Sequence, residues 1–260
     1  MAPRLREKRL RRAFLSGAFG IVLFFLLGAG AVALLWREEI RITQVLVSDT
    51  NDIEPVAIAQ YTRRALRGTR LLVLPKDSII TLPTRELSSA LLASFPQIQE
   101  ARISRAGLTA IEVRITERVP VALWCGVLPE APERCLFLDE TGFIFKDAPR
   151  DASGVVVYGV LQDEEGVLGN TLGTGSLREA LRLYETLERG VMPLSHLVIR
   201  APDEVDMYHP EGMRITYLSG TEERVAEIVP TILETVRAGA PVEYIDMRFG
   251  NRVYVKRKTQ

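Results

Sequence analysis

The stretch "IQEARISRAGLTAIEVRITERVPVALW", Ile98 to Trp124, decides the fold. Ile111, Val113 and Ile115 alternate with Glu112, Arg114 and Thr116, which reads as a strand with one buried and one wet face. "IQEARISR" (Ile98 to Arg105) is a second strand, and Gly107 turns the chain between the two. Upstream, "TRELSSALLASFP" reads as a helix: Thr84 is the cap, Leu87, Leu91 and Phe95 share a face, and Pro96 ends it. "EPVAIAQYTRRALRG" is another, with Pro55 at a first helical position, Ile58, Tyr61, Ala65 and Leu66 at helical spacing, and Gly68 as the stop. Before it, "IRITQVLVS" (Ile40 to Ser48) reads as a strand, with Ile40, Ile42, Val45 and Val47 nearly in step. Strand, helix, helix, strand, strand over residues 40–117 predicts a small sheet with two helices on one face.

Further upstream, residues 13–36 carry no charge over 24 positions. At about 1.5 Å per residue a helix of that length crosses a hydrocarbon core of about 30 Å, so this segment is predicted to span a membrane. A cleaved signal peptide is the competing reading, since Ala31, Val32 and Ala33 offer a small-x-small site. The apolar run is long for such a peptide and continues through Leu34, Leu35 and Trp36, which favours an uncleaved anchor with Trp36 at the interface. Ala13/Gly17 and Ser16/Gly20 are weak small-xxx-small pairs. In residues 1–12, Arg4, Arg6, Lys8, Arg9, Arg11 and Arg12 face one acid, Glu7. The excess of basic residues on that side predicts a cytoplasmic tail at 1–12 and an extracytoplasmic body. The chain balances 33 basic against 33 acidic residues, so six basic against one acidic in the tail leave the remainder at −5. That argues against a nucleic-acid surface.

Residues 118–260 form a second domain by length. Strands are predicted at Val119 to Trp124, Cys135 to Asp139, Ile144 to Lys146, Val155 to Tyr158, Leu194 to Arg200, Val205 to Tyr208 and Met213 to Tyr217. "SLREALRLYETLERG" places Leu177, Leu181, Tyr184 and Leu187 on one helical face. "TEERVAEIVPTILETVRAG" turns Val225, Ile228, Val229, Ile232 and Val236 inward and should kink at Pro230. Strands Val242 to Phe249 and Arg252 to Arg257 flank a Gly250-Asn251 turn suited to a tight hairpin. The expected class is α+β: a single span, a β-α-α-β-β domain at 40–117, and a mainly antiparallel sheet with flanking helices at 118–260.

Catalytic chemistry finds little footing. Cys125 and Cys135 admit three readings: a reactive thiol pair, half of a metal site, or a disulfide. An oxidising extracytoplasmic compartment favours the disulfide, with two packed free cysteines as the alternative. His196 lies in an apolar run and His209 beside Pro210, without a zinc or Cys–His spacing. Glu140, Asp163, Glu164, Glu165, Asp203, Glu204 and Asp206 read as solvated loop carboxylates. Gly169, Gly173 and Gly175 precede a helix, but no lysine completes a phosphate loop, and Ser176 reads as a cap. No catalytic residue, metal or cofactor is assigned.

The β-α-α-β-β order resembles a polypeptide-transport-associated (POTRA) domain, and several motifs in series resemble the FtsQ/DivIB family of bacterial cell-division proteins. They are Pro96, Ile98, Ala101 and Ile103; Glu117, Arg118, Pro120, Val121 and Ala122; Asp139, Gly142, Ile144 and Phe145; and the closing "YIDMRFGNRVYVK" (Tyr244 to Lys256). The resemblance implies a non-enzymatic divisome protein of the inner membrane, acting at the septum, with its POTRA part concerned with recruitment. It implies membrane partners of the FtsB and FtsL type, the former bound through the last strand and a nearby helix, and no nucleic acid or small-molecule substrate. Carried over by motif, the candidate partner-binding residues are Phe249, Asn251, Arg252, Tyr254 and Lys256. Alternation turns either Val253 or Tyr254 outward, and Asp246 with Arg248 reads as a structural pair. The last strand runs into a closing "KRKTQ", so a contact made by a longer tail is not expected. A POTRA-bearing envelope assembly factor and an anchored thiol enzyme using Cys125 are the rival readings.

Overall fold

The computed structural model describes residues 3–70, 73–129, 134–163, 166–173, 177–200, 203–236 and 239–258, with side chains from residue 17 onward. Glu164, Glu165, Gly175, Ser176 and the side chains of Ala13 and Ser16 therefore lie outside the described residues. The chain divides into two compact units, Met1–Glu117 and Arg118–Gln260.

The first unit opens with α1 (Pro3–Leu35), whose window Gly17–Leu35 is apolar enough to cross a membrane, with none of its residues buried. Strand β1 (Gln44–Ser48) follows a single 3-10 turn at Glu38–Ile40. The expected strand from Ile40 is thus shorter. Ile40 and Ile42 bond instead to the loop at residues 77–79, with the Ile42 N–H donating to the Asp77 carbonyl at 2.7 Å and the Ile79 N–H to Ile40 at 2.9 Å. Helix α2 (Pro55–Ala65) leads through a short hairpin, β2 (Thr69–Arg70) and β3 (Leu74–Pro75), to α3 (Thr84–Ser94), then β4 (Ile98–Arg105) and β5 (Ala110–Glu117).

Thr84 does not cap α3. Pro83 holds the cap position with no side-chain bond, and Thr84 is already helical. The sheet order is β1-β5-β4, with β1 parallel and β4 antiparallel to β5. Ile58, Leu66, Leu87 and Leu91 from the helices pack on Val45, Ile111, Val113 and Ile115 in one core. Burying each such side chain contributes about 2 kcal/mol.

The second unit contains β6 (Ala122–Trp124), β7 (Leu136–Leu138), β8 (Ile144–Asp147), β9 (Val155–Gly159), α4 (Leu177–Gly190), β10 (His196–Arg200), β11 (Glu204–Tyr208), β12 (Arg214–Leu218), α5 (Glu222–Val236), β13 (Val242–Phe249) and β14 (Arg252–Arg257). They form one sheet in the order β14-β13-β12-β11-β10-β9-β6-β7-β8. Neighbouring pairs are mostly antiparallel. The pairs β9–β10 and β12–β13 are parallel because α4 and α5 supply the crossovers that a parallel connection needs, and β6–β9 is parallel too. Leu177, Leu181, Tyr184 and Leu187 of α4, with Val225 and Val229 of α5, bury against Leu197, Met207, Ile215 and Ile245. Ile232 and Val236 are only partly buried.

Candidate partner-binding edge

Strand β14 is the last strand of its sheet, paired with β13 on one side only among the described residues. Its register sets Phe249 opposite Arg252, Asp246 opposite Tyr254, Ile245 opposite Val255 and Tyr244 opposite Lys256. Gly250 and Asn251 close the hairpin, and Gly250 takes φ 54°, a left-handed conformation in which a side chain is strained.

The edge carries apolar surface. Phe249 is 54% exposed and Tyr254 47%, and their rings meet edge to face with centroids 5.3 Å apart. Val255 is exposed, while Val253 is half-buried against the core. So Val253 turns inward and Tyr254 outward, the choice that alternation alone leaves open. Lys256 bonds Glu243 at 2.9 Å and lies 5.7 Å from the Tyr244 ring. Asn251 and Arg252 are exposed at the turn. Arg257 donates to the Ala240 carbonyl at 2.9 Å, tying the far end of the strand to the chain before β13.

Behind this edge runs a charged network that sequence reasoning misplaced. Glu204 and Asp206 are not solvated loop carboxylates: both lie in β11, and Asp206 is fully buried. Asp206 accepts from the Thr216 hydroxyl at 2.5 Å and meets Arg200 at 2.8 Å and Arg214 at 3.9 Å. Burial pushes its carboxyl above the usual range, against the pull of Thr216 and the two arginines. Arg248 joins the network to the edge, reaching Glu204 at 2.6 Å and Asp246 at 2.7 Å, with its guanidinium 5.6 Å from the Phe249 ring. That guanidinium holds the Asp246 carboxyl low and is itself held strongly protonated. The signal was present in "EVDMY", where Val205 and Met207 alternate with Glu204 and Asp206.

At the start of the second unit, Arg118 meets Asp139 at 2.5 Å and lies 4.0 Å over the Phe143 ring. The other Asp139 oxygen accepts from the Thr141 N–H and hydroxyl and from the Phe143 N–H. Burial pushes this carboxyl up, yet Thr141, Arg118 and the backbone donors together hold it below its ordinary value. In the first unit, Glu117 accepts from the backbone N–H groups of Asn51, Asp52 and Ile53 at 2.7 to 3.2 Å. Cys125 and Cys135 are joined in a disulfide with Cα atoms 4.3 Å apart.

The histidines have local partners. His196 stacks on Tyr208 at 4.5 Å, contacts Tyr158 edge-on at 5.5 Å, and burial lowers its pKa. His209 accepts from the Glu211 N–H at 3.0 Å. In the loop at residues 166–173, Asn170 accepts from Asp163 and Thr171 N–H groups and donates to the Asp163 and Gly166 carbonyls.

No family model matches the chain. It is 26% identical over 246 residues to the cell division protein FtsQ of Streptomyces bingchenggensis (strain BCW-1), covering 94% of this chain and 85% of that protein. Similarity along nearly the whole length, an apolar N-terminal helix and the α+β architecture agree with the ordered motifs between Pro96 and Lys256. By these features the chain is similar, over nearly its whole length, to a cell division protein FtsQ.

Proposed function

We propose that this protein is a single-pass, non-catalytic scaffold of the division machinery that recruits membrane partners of the FtsB and FtsL type by strand addition to β14. In this reading residues 1–12 are cytoplasmic, α1 spans the membrane, residues 40–117 are a POTRA domain outside it, and residues 118–260 carry the partner edge. The observation that carries the proposal is the edge itself: one side of β14 unpaired among the described residues, with Phe249 and Tyr254 exposed and in contact. An unpaired strand offers its backbone to an incoming strand, and alternate side chains provide selectivity. Arg252 and Lys256 on the strand, and Asn251 at the turn, would frame that contact.

The test is co-purification of the FtsB- and FtsL-type proteins with full-length variants. Tyr254→Glu and Val255→Pro are expected to weaken capture roughly thirtyfold, the scale of an interface hot spot. Thermal unfolding should stay near that of the parent, since an edge strand tolerates proline. Undiminished capture by both folded variants contradicts the assignment.

A further inference from the structure

The segment leaving the span is stitched to the chain that follows β3. The Trp36 indole donates to the Val73 carbonyl at 3.1 Å, and the Arg41 guanidinium holds the Asp77 carboxylate at 2.5 and 3.0 Å. With the two backbone bonds of Ile42 and Ile79, these contacts lay residues 73–79 alongside residues 36–42. The apolar window of α1 ends at Leu35, one residue before this seam begins. Wherever the end of the span sits in a bilayer, Val73 is therefore held at nearly the same depth.

The surface around the seam suits that depth. Val73 is 50% exposed and Trp36 46%. From Pro55 to Lys76 the sequence has five basic residues, Arg63, Arg64, Arg67, Arg70 and Lys76, and no acidic one. The four arginines are exposed; Arg70 meets Glu86 of α3 at 2.5 Å. An amphipathic tryptophan, an exposed aliphatic side chain and a one-sign basic run are what an anionic headgroup layer attracts.

We propose that the β2–β3 hairpin and the end of α2 dock on the headgroup layer where α1 leaves the bilayer, Val73 and Trp36 reaching the acyl boundary and the arginines meeting anionic lipid. The first unit then rests against the membrane instead of swinging on a linker. This inference requires α1 to span a bilayer, and it is independent of partner capture by β14.

The test uses the full chain in phosphatidylcholine vesicles with and without phosphatidylglycerol. Both native cysteines are bonded to each other, so one introduced cysteine is the sole thiol for a nitroxide. Val73→Cys is compared with Gln99→Cys, exposed at the start of β4 beside the far end of β5, and with Phe24→Cys in the span, using oxygen and a water-soluble nickel complex as collision partners. The label at 73 is expected at headgroup depth, the one at 99 in water and the one at 24 in lipid. In anionic vesicles, Arg67→Gln should shift the docked fraction at 73 toward water by about fivefold in equilibrium ratio. A label at 73 as water-exposed as that at 99 overturns the proposal. Insensitivity to both phosphatidylglycerol and Arg67→Gln overturns the anionic-lipid assignment. Water exposure at 24 overturns the span, and the docking with it.

Discussion

Glu117 and Arg118 are neighbours in sequence with separate tasks. Glu117 gathers three backbone N–H groups of residues 51–53 and so fixes the turn between β1 and α2. Glu117→Ala leaves those donors without their acceptor and should cost about 1–3 kcal/mol, read as a lower midpoint in chemical unfolding of the full chain. Arg118 clamps Asp139, whose carboxyl is held below its ordinary value. A depressed carboxyl takes up its proton first in the unfolded chain. Its contribution is therefore complete above about pH 4 and lost as pH falls through the folded value. Asp206 slopes the opposite way, because burial raises its carboxyl. Asp139→Asn removes one group cleanly: the variant should be less stable at neutral pH and show a shallower loss of stability below about pH 4 than the parent. Parallel acid limbs for the two proteins would contradict this.

At the level of elements, α4 contributes the broadest apolar face of the second unit. Leu187 is fully buried, so Leu187→Ala should cost about 2–5 kcal/mol by leaving a cavity, measured by chemical unfolding. The strands β4, β5, β13 and β14 were legible end to end, because strict alternation marks β5 and the turns at Gly107 and Gly250 bound each pair. The β2–β3 hairpin was not, since two-residue strands carry no period. Nor were the parallel pairings β6–β9 and β12–β13, which depend on residues far apart in the chain. The exposed pair Phe249 and Tyr254 sits in a motif that sequence singled out. Its support by Arg248, Glu204 and Asp206 was missed, because the strand was recognised while its carboxylates were assigned to solvent.

For the molecule as a whole, the second unit ends one side of its sheet in an aromatic strand that pairs only with β13 among the described residues, and the proposed task follows from that edge: to hold a partner's strand at the membrane where the cell divides. The disulfide bridges Cys125, after β6, to Cys135, before β7, at the opposite part of the strand order from β14. Reducing it should therefore leave partner capture intact, and co-purification with and without reductant checks this. The most direct measurement is site-specific photo-crosslinking in dividing cells, with the reactive residue at Tyr254 and a control at the exposed Glu185 of α4. The account predicts an adduct with a small single-span division protein of the FtsB or FtsL type from position 254 and none from 185. No such adduct at 254, with the same partner captured at 185, would contradict it.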